Sequence, residues 1–498
     1  MSRAVLLLAF GVIANSALGY AAERKPHVVF IVADDLGWND VSWHNPDMIT
    51  PNLEKLARSG VILNHTYVQH WCSPSRSAFM SGYFPYHTGM QHNVIPNAGP
   101  YGLPLNLTIL PQYMKKAGYA THMVGKWHQG FCKWEYTPTE RGFDSFYGYY
   151  VAREDHYTHS DRDPHGFEGF DFRDGKKPVT DLGGKYGTDV FAERAVDIVR
   201  SHDRSKPLFL YLPFQNVHGP VQVPEAYEKK YEHVHNRMRR KYSGMVTILD
   251  EAIGNVTRAL EDAGMFDDTV IIFTTDNGGQ PLAGGNNWPL RGAKTTLWEG
   301  GTRGVAFVRS RMLKKSGYVY NGITHASDWF PTILSIAGMT PPANIDGRNI
   351  WKYLSDDTAS PRDEFVYNID ELLKNGAIRK DRYKLIVGNP GHLNSWYPVP
   401  RFDDRSEALA NERCMHLHYE CADTTKALRW NFDRVKLFDI DADPTEHFDV
   451  SKTYPEVTAA LVERFKKYLE TLIPGHPHAE AERANPKYYG GFWSPGWC

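Results

Sequence analysis

Residues 26–35, PHVVFIVADD, decide the fold class. The stretch is a short, continuous apolar run rich in β-branched residues, and the turn-forming Gly37 follows it. Such a run predicts a buried strand. Residues 269–279, TVIIFTTDNGG, show the same arrangement, in which an apolar run ends in acidic and amide side chains. The two stretches therefore predict two buried strands that end in polar groups.

Helices alternate with these strands along the chain. Residues 50–60, TPNLEKLARSG, have Thr50 as the helix N-cap, Pro51 at the first helical position and Gly60 as the stop signal. Residues 244–264 carry apolar side chains at helical spacing. Further strands are predicted within residues 117–128, AGYATHMVGKWH, and 206–218, KPLFLYLPFQNVH. This alternation predicts an α/β fold with a mostly parallel sheet sandwiched by helices.

The sequence changes character after about Pro361. Residues 381–388, DRYKLIVG, and 435–450, VKLFDIDADPTEHFDV, predict short strands joined by turns, and residues 455–473 predict an amphipathic helix. Residues 388–429 are polar and show no clear element. We therefore expect three parts, which are a signal peptide (1–19), a catalytic domain (20–360) and a smaller C-terminal α+β domain (361–498).

The N-terminus has the pattern of a secretory signal. Arg3 precedes an apolar run at residues 4–14, and residues 17–19, ALG, match a small-x-small cleavage site. The apolar run is short for a membrane span, and no later segment is longer. We expect a mature chain without a membrane span that passes through the secretory pathway to the lysosome or out of the cell. The net charge of -2, from 56 basic and 58 acidic residues, gives no indication of nucleic-acid binding.

The chain has five cysteines, and an odd count in an oxidising compartment points to one special thiol. If Cys72 is that thiol, the other four allow three pairings. Cys414 and Cys421 are close enough in sequence to pair locally, and Cys132 with Cys498 would then tie back the C-terminus. The sequence leaves this pairing open.

Three N-x-[ST] sequons start at Asn64, Asn106 and Asn255. Asn255 lies in a predicted amphipathic helix and is the best candidate for exposure. Asn64 lies in a strand-like run that leads to Cys72, so we do not expect it to carry a glycan.

Two predicted strands end in oxygen ligands. Asp34 and Asp35 follow the first strand, and Asp276 and Asn277 follow the second. Because the carboxyl ends of parallel strands share one edge of a sheet, the four side chains are expected close together. Three carboxylates and an amide oxygen suit Ca²⁺ or Mg²⁺ better than a thiolate-binding metal. Taken singly, each pair is also typical of an ordinary turn after a strand.

Basic and titratable residues follow other predicted strands. Lys126 and His128 lie two positions apart and would face the same way if the strand continued through them, which suits binding and proton transfer at an anion. His218 follows a buried strand and is a candidate acid or base. Lys294, in a glycine-rich loop, is a candidate oxyanion ligand. In isolation, each is more typical of a capping or solvated side chain.

Residues 71–89, WCSPSRSAFMSGYFPYHTG, place Cys72 beside serines, which raises the question of which group is the nucleophile. The segment CSPSRSAFMSG resembles the C-x-P-S-R-x-x-x-[LM]-x-G signature of the sulfatase family. The segments VADDLG, VGKWH, VHGP, TDNGG and RGAK resemble the other active-site blocks of that family. The resemblance covers nearly the whole chain after the signal peptide and is strongest to the arylsulfatase B (N-acetylgalactosamine-4-sulfatase) subgroup. It implies an alkaline-phosphatase-like fold.

The resemblance implies a specific maturation of Cys72. A formylglycine-generating enzyme, which reads Pro74 and Arg76, would oxidise it to Cα-formylglycine. One hydroxyl of the hydrated aldehyde would attack sulfur, and the second would let sulfate leave. Ser73 or Ser75 could attack only once, because a serine sulfate ester has no such exit.

The resemblance also implies roles for the candidate residues. Ca²⁺ would be held by Asp34, Asp35, Asp276 and Asn277, together with the converted Cys72. Arg76 would hold the hydrate, and Lys126 and Lys294 would bind sulfate oxygens. His128 would accept a proton during elimination, and His218 would protonate the leaving oxygen. The implied substrate is 4-sulfated N-acetylgalactosamine in glycosaminoglycans, and the alternative is a small aryl or plant-derived sulfate.

Two other functions are disfavoured by the sequence. A phosphatase or phosphodiesterase of the same superfold would use two zinc ions and commonly has Asp-His where this chain has Asp276 and Asn277, so the amide disfavours it. A non-catalytic glycan-binding relative is disfavoured because every residue of the motif set is present.

Overall fold

The computed structural model describes residues 25–397, 429–477 and 481–498. The predicted signal peptide and the candidate pair Cys414 and Cys421 lie outside the described residues.

The described residues form strands and helices in alternation. The strands are β1 (His27–Ala33), β2 (Val61–Leu63), β3 (Thr66–Tyr67), β4 (Ala120–Lys126), β5 (Ser145–Tyr149), β6 (Ser160–Arg162), β7 (Glu168–Phe170), β8 (Arg173–Asp174), β9 (Lys177–Pro178), β10 (Leu208–Pro213), β11 (Thr269–Thr275), β12 (Ala306–Arg309), β13 (Tyr318–Tyr320), β14 (Thr324–His325), β15 (Glu364–Asp370), β16 (Asn375–Lys380), β17 (Tyr383–Val387) and β18 (Val435–Asp439). The helices are α1 (Pro51–Ser59), α2 (Cys72–Ser81), α3 (Leu110–Lys116), α4 (Gly187–Ser201), α5 (Glu225–Lys229), α6 (Arg237–Asp262), α7 (Glu299–Thr302), α8 (Trp329–Ile336), α9 (Trp351–Asp356) and α10 (Pro455–Leu469).

A large mixed sheet has the strand order β13-β2-β12-β11-β1-β10-β4-β5-β8-β9. Its central strands, from β11 to β5, are parallel, and antiparallel strands flank them. The two strands predicted from their apolar runs are neighbours, and their register pairs His27 with Thr269 and Ala33 with Thr275. Because both strands end at the same level, the polar residues that follow them meet at one edge of the sheet.

Helices cover the sheet in two groups. In one group, α2, α3 and α8 contact each other, and the rings of Phe79 and Trp329 pack against Phe30 of β1. In the other group, α1, α4 and α5 pack around the long helix α6. The predicted α/β sandwich is confirmed.

The start of one helix and the capping of another differ from the sequence prediction. Helix α6 begins at Arg237 rather than at residue 244, because the Asn236 side chain accepts a hydrogen bond from Arg239 N and caps it. Helix α1 begins after Thr50 as predicted, but the Thr50 hydroxyl makes no capping bond. Asp250 of α6 accepts from the backbone nitrogens of residues 52 and 53 instead, so the first turn is satisfied by tertiary contact.

The C-terminal unit is a four-stranded antiparallel sheet, β15-β16-β17-β18, on which helix α10 packs through the buried Phe465. This agrees with the predicted smaller domain, whose limits of 361 and 498 stay a prediction. The last residues return to the large sheet. Cys498 forms a disulfide with Cys132, and Trp493 is fully buried, with its backbone nitrogen bonded to Phe170 O.

The sequons lie in different surroundings. Asn255 and Asn106 are exposed. The Asn64 side-chain nitrogen donates to Asn321, and its side-chain oxygen accepts from Arg303, so both polar atoms of the amide are hydrogen-bonded. This agrees with the expectation that Asn64 carries no glycan.

Two buried carboxyl groups, Glu154 and Asp171, lie near the returning tail. Burial raises the pKa of each to about 7. One carboxylate oxygen of each, Oε2 of Glu154 and Oδ1 of Asp171, makes no hydrogen bond within the described residues. Since the folded pKa lies above the ordinary value, each carboxyl stabilises the fold at acid pH and loses this contribution as the pH rises through 7.

We therefore expect the variants Glu154→Gln and Asp171→Asn to gain stability relative to the parent chain as the pH rises. Between pH 5.5 and pH 8, the free energy of unfolding of each variant should rise relative to that of the parent chain by at most about 2 kcal/mol. Chemical denaturation at the two pH values measures it. Comparison with the parent chain is essential, because buried histidines give the parent its own pH dependence. A difference that does not change with pH would show that these carboxyls stay ionised in the fold.

Candidate active site

The carboxyl ends of four adjacent parallel strands, β11, β1, β10 and β4, share one edge of the large sheet. The N-terminus of helix α2 faces this edge, and the loop between β11 and β12 borders it. The edge gathers the side chains selected from the sequence, which are Asp34, Asp35, Cys72, Arg76, Lys126, His128, His218, Asp276, Asn277 and Lys294.

Three carboxylates and one amide form the centre of this cluster. Asp35 N donates to Asp276 Oδ1 at 3.3 Å, and Asn277 Nδ2 donates to Asp35 Oδ1 at 2.7 Å. The other amide atom, Asn277 Oδ1, is buried and makes no hydrogen bond within the described residues. A buried acceptor beside crowded carboxylates needs a positive partner, and a bound cation would supply one.

Two fully buried cations balance part of this negative charge. Lys126 Nζ lies 2.5 Å from Asp34 Oδ2, and the Arg76 guanidinium contacts Asp276 Oδ2 through Nη2 at 2.8 Å and Nε at 2.9 Å. Arg76 Nη2 also lies 3.4 Å from Asp34. Arg76 is thus held by carboxylates from two strands, which fixes helix α2 against the sheet.

The carboxylates of Asp34 and Asp276 respond in opposite ways to this crowding. Burial alone would raise the pKa of Asp34, but the surrounding basic groups, Lys126 first and then His218 and Arg76, together hold that pKa below its ordinary value. Burial and the negative charge of Asp34 raise the pKa of Asp276 to about 6. Without a metal, Asp276 therefore holds a proton below about pH 6, at a position where a metal ion could replace it.

Cys72 is the first residue of α2 and is buried among these charges. Its Sγ lies 3.4 Å from Asp34 Oδ1. Ligand atoms of Asp34, Asp35, Cys72 and His218 all lie within 4.8 Å of one another. Burial, and then the charge of Asp34, raise the pKa of the thiol well above its ordinary value. The encoded side chain is thus a neutral thiol, which is a weak nucleophile.

The serines beside Cys72 are engaged in structural bonds. The Ser75 hydroxyl donates to Asp276 O and accepts from Gln69 N at 2.7 Å. The Ser73 hydroxyl accepts from Ile95 N at 3.1 Å. Both hydroxyls therefore stabilise local backbone.

His128 reaches the edge by a different route from the predicted one. Strand β4 ends at Lys126, and His128 has a positive φ of 50°, so the strand does not continue through His128 and the condition for both side chains to share one face is not met. Its Nε2 lies 3.0 Å from Ile95 O, and its buried Nδ1 has no hydrogen bond within the described residues. Burial and the charge of Lys126 hold the pKa of His128 well below its usual range, so the ring is neutral.

Lys294 and His218 form the accessible side of the cluster. Lys294 Nζ contacts both carboxylate oxygens of Asp35, at 2.7 and 2.8 Å. His218 Nδ1 lies 2.7 Å from Gly219 O, and its Nε2 lies 3.7 Å from Asp35 Oδ2. Burial and then the charge of Lys294 hold the pKa of His218 well below its usual range. The side chains of Lys294 and His218 are 10% and 15% exposed, so a ligand would meet them first.

Other residues of the glycine-rich loop lie outside the cluster. The Arg291 guanidinium stacks between Trp298, at 3.8 Å, and Trp396, at 4.6 Å. Trp298 is buried and has a packing role, whereas Trp288 is 43% exposed. Of these two tryptophans, only Trp288 has a free face for ring stacking with a substrate.

Gln129 is a site residue that the sequence did not reveal. Its buried Nε2 donates to Ser73 O at 3.0 Å and to His128 O at 2.7 Å. The side chain therefore ties the first turn of α2 to the end of β4. The sequence signal for Gln129 is its position directly after His128, a candidate active-site histidine, where a side-chain amide can bond neighbouring backbone.

Comparison with known proteins agrees with this geometry. Residues 26–339 match the family model described as Sulfatase. Mouse arylsulfatase J is 41% identical over 499 residues, which cover 96% of this chain and 81% of that protein. Human N-acetylgalactosamine-6-sulfatase is 27% identical over 486 residues, covering 92% of this chain and 88% of that protein.

A solved structure shares both the large sheet and the C-terminal unit. The crystal structure of Ps i-CgsB in complex with k-i-k-neocarrahexaose superposes with a TM-score of 0.76 at 26% identity. The match covers 94% of this chain and 98% of that chain. With the strand-end cluster and the signature around Cys72, these matches show that the chain belongs to the sulfatase family and is a sulfuric ester hydrolase.

Proposed function

We propose that the chain is a Ca²⁺-dependent sulfatase whose nucleophile is formed from Cys72, and that it hydrolyses 4-sulfated N-acetylgalactosamine in glycosaminoglycans. The observation that carries the proposal is the position of Cys72 Sγ, 3.4 Å from Asp34 within a set of three carboxylates and three cations. A neutral, buried thiol there does not explain catalysis by itself, whereas a precursor does.

The metal proposal follows from the donor chemistry. Asp34, Asp35, Asp276 and Asn277 offer hard oxygen ligands, and the unpartnered Asn277 Oδ1 is the acceptor that a cation would satisfy. Bound Ca²⁺ would polarise a sulfate group and lower the pKa of a nearby hydroxyl. An amide at position 277 is also less suited to zinc than a histidine, which disfavours a two-zinc phosphatase.

The nucleophile proposal follows from what the neighbours of Cys72 can do. Formylglycine, once formed and hydrated, would supply one hydroxyl for attack and a second from which sulfate can leave. Arg76, held rigidly by Asp276, lies beside this position and would orient the hydroxyls. Lys126 and Lys294 would bind sulfate oxygens and stabilise the negative charge that develops on them.

Two neutral histidines can carry the protons. His128 has an unoccupied, buried Nδ1, and it would accept the proton of the second hydroxyl as sulfate leaves. His218 Nε2 faces Asp35 near Lys294, on the accessible side of the cluster, where the leaving oxygen of an ester would lie. The Lys294 ammonium would supply the proton for that oxygen, and His218 would assist by taking a proton at Nε2 and passing it on.

Maturation would require a formylglycine-generating enzyme that acts before folding is complete. Every residue of helix α2, from Cys72 to Ser81, is buried. The recognition residues Pro74 and Arg76 are therefore inaccessible in the folded chain. Together with the predicted signal peptide, this supports modification in the secretory pathway, and we propose the lysosome or the exterior as destination. No helix of the described residues has the length and apolar character of a membrane span.

The sugar part of the substrate is proposed from family likeness and one surface feature. Human N-acetylgalactosamine-6-sulfatase is a relative. The exposed Trp288 directly follows Asn287. The Asn287 side chain accepts a hydrogen bond from Gly279 N and donates one to Gly279 O. Gly279 O also accepts from Lys294 N at 3.2 Å. The indole thus lies next to the Lys294 loop, where it could stack on a sugar ring.

A substrate panel tests the function. The secreted chain should release sulfate from 4-sulfated N-acetylgalactosamine disaccharides and, less selectively, from a small aryl sulfate, and a Ca²⁺ chelator should abolish both activities. Sulfate release is measured directly by ion chromatography. Turnover of aryl sulfates without any turnover of the 4-sulfated sugar would favour the alternative substrate class. Bound zinc with phosphate-ester turnover would refute the sulfatase assignment to this site.

Two substitutions distinguish the role of the Cys72 thiol from that of a neighbouring serine hydroxyl. Cys72→Ala should abolish turnover, because no precursor of the nucleophile remains. Ser73→Ala should retain turnover within about tenfold, since it removes one ordinary hydrogen bond worth about 1 kcal/mol. Steady-state kinetics on the aryl sulfate measures both. Equal losses in the two variants would contradict the assignment of Cys72.

The role of Trp288 gives a further prediction. Trp288→Ala should raise the KM for the sulfated disaccharide several-fold and leave kcat/KM for the aryl sulfate unchanged, because only the sugar reaches the indole. The matched control is Tyr488→Ala, which removes another exposed aromatic ring, 58% exposed, from the C-terminal tail. Equal kinetics for the parent and Trp288→Ala on both substrates would exclude a stacking role.

A further inference from the structure

The loop that carries Lys294 makes backbone hydrogen bonds to the C-terminal unit as well as to its own domain. Gly292 N donates to Ser395 O at 2.9 Å, and Leu297 N donates to Pro390 O at 2.8 Å. Both acceptors belong to the stretch that follows β17. The two bonds flank Lys294 on either side, so residues 390–395 form a brace along the loop.

Close packing accompanies these bonds. Gly391 has a φ of 124°, and a Cβ at this position would lie 2.9 Å from Thr295 O and 2.8 Å from Thr296 Cγ2. The brace therefore touches the two residues that directly follow Lys294. Thr295 itself has a positive φ of 79°, an unusual backbone conformation for a β-branched residue that surrounding contacts must maintain.

Arg291 connects the loop to the brace. Its Nε donates to Asn394 O at 2.8 Å, and its Nη1 donates to Glu446 O at 3.0 Å. The guanidinium lies between the rings of Trp298, in the loop, and Trp396, the residue directly after the brace. Stacking between two indoles and bonding to two carbonyls immobilises a side chain that would otherwise be mobile.

A buried ion triad fixes the other end of the loop. Lys384 Nζ of β17 lies 3.0 Å from Glu299 Oε1 and 2.8 Å from Glu446 Oε1, and the charged side chains of all three are inaccessible to water. Glu299 N donates to Glu446 Oε2 at 2.7 Å. Glu299 begins α7, five residues after Lys294. Buried ion pairs tolerate little displacement, since each unpaired charge would be costly.

We propose that Arg291 and the triad Glu299–Lys384–Glu446 are positioning residues, through which the C-terminal unit sets the location of the Lys294 ammonium at the sulfate-binding edge. The inference rests on the proposed function of Lys294. The lysine side chain reaches Asp35 from a loop whose two ends are fixed to the C-terminal unit. A displacement of the loop would move the ammonium relative to Cys72 and Arg76, which α2 carries.

The test is a double-substitution cycle with Arg291→Ala and Lys294→Ala. In the parent background, Arg291→Ala should lower kcat/KM for a small aryl sulfate at least tenfold. In the Lys294→Ala background, the same substitution should change it less than twofold, because there is no ammonium left to position. A merely structural role would give the same factor in both backgrounds, and this additive result would overturn the proposal.

Arg309→Ala is the matched control. Arg309 also stacks on an aromatic ring, that of Phe266 at 3.6 Å, and donates to its carbonyl, but it lies at the end of β12 away from the loop. Its substitution should leave kcat/KM unchanged. Loss of activity equal to that of Arg291→Ala would overturn the proposal.

Binding of inorganic sulfate supplies a readout that does not depend on turnover. Calorimetry should show at least a fivefold weaker affinity for sulfate in Arg291→Ala and Lys294→Ala, and parent affinity in Arg309→Ala. If the parent turns over sulfate esters and Arg291→Ala binds sulfate as the parent does, the positioning role fails and the proposed function stands. If the parent shows no turnover, the proposed function fails, and the sulfate affinities still decide whether Arg291 acts through Lys294.

Discussion

A buried balance of charge at one edge of the large sheet is the constraint on which the structure depends. Asp34, Asp35 and Asp276 meet there because neighbouring parallel strands end at the same level. Such a group of carboxylates is unstable in the interior unless cations compensate it. Arg76 and Lys126 provide part of that compensation and, in doing so, lock helix α2 and strand β4 to the edge.

The same balance explains why the edge suits a doubly charged cation and an anionic substrate together. Asn277 keeps one acceptor without a partner within the described residues, and Asp276 has a raised pKa, so the negative side of the cluster is incompletely neutralised. On the accessible side, Lys294 and His218 present positive charge and a titratable ring to whatever enters. Under the proposed function, a sulfate ester would be bound between the two halves, with its leaving oxygen toward the open side.

Much of the fold and of the site could be predicted from the sequence. The apolar runs before Asp34 and Asp276 identified the strands, because fully buried parallel strands have an unmistakable composition, and their shared edge followed from topology. The path of the chain after Lys126 could not be predicted, since the left-handed turn at His128 depends on contacts with distant backbone. Burial of Gln129 depends in the same way on a partner far away in the chain.

The contacts between the C-terminal unit and the Lys294 loop could not be predicted from the sequence either. Lys384 lies in an ordinary short strand, and its two carboxylate partners come from segments 85 and 62 residues away, so no local pattern marks the triad. The enclosure of Arg291 could not be predicted either, because one of the two tryptophans that stack on it, Trp396, lies far from it in the sequence. Tertiary electrostatics of this kind can be predicted only after the fold is known.

The central claim is that the catalytic group is made from Cys72 and is not encoded directly. The most direct test is the mass of the tryptic peptide containing Cys72 from chain expressed through a secretory pathway. The account predicts a peptide in which the thiol sulfur has been lost and a carbonyl that reacts with a hydrazide has appeared. A peptide that carries only an intact thiol, from a preparation that hydrolyses sulfate esters, would contradict it.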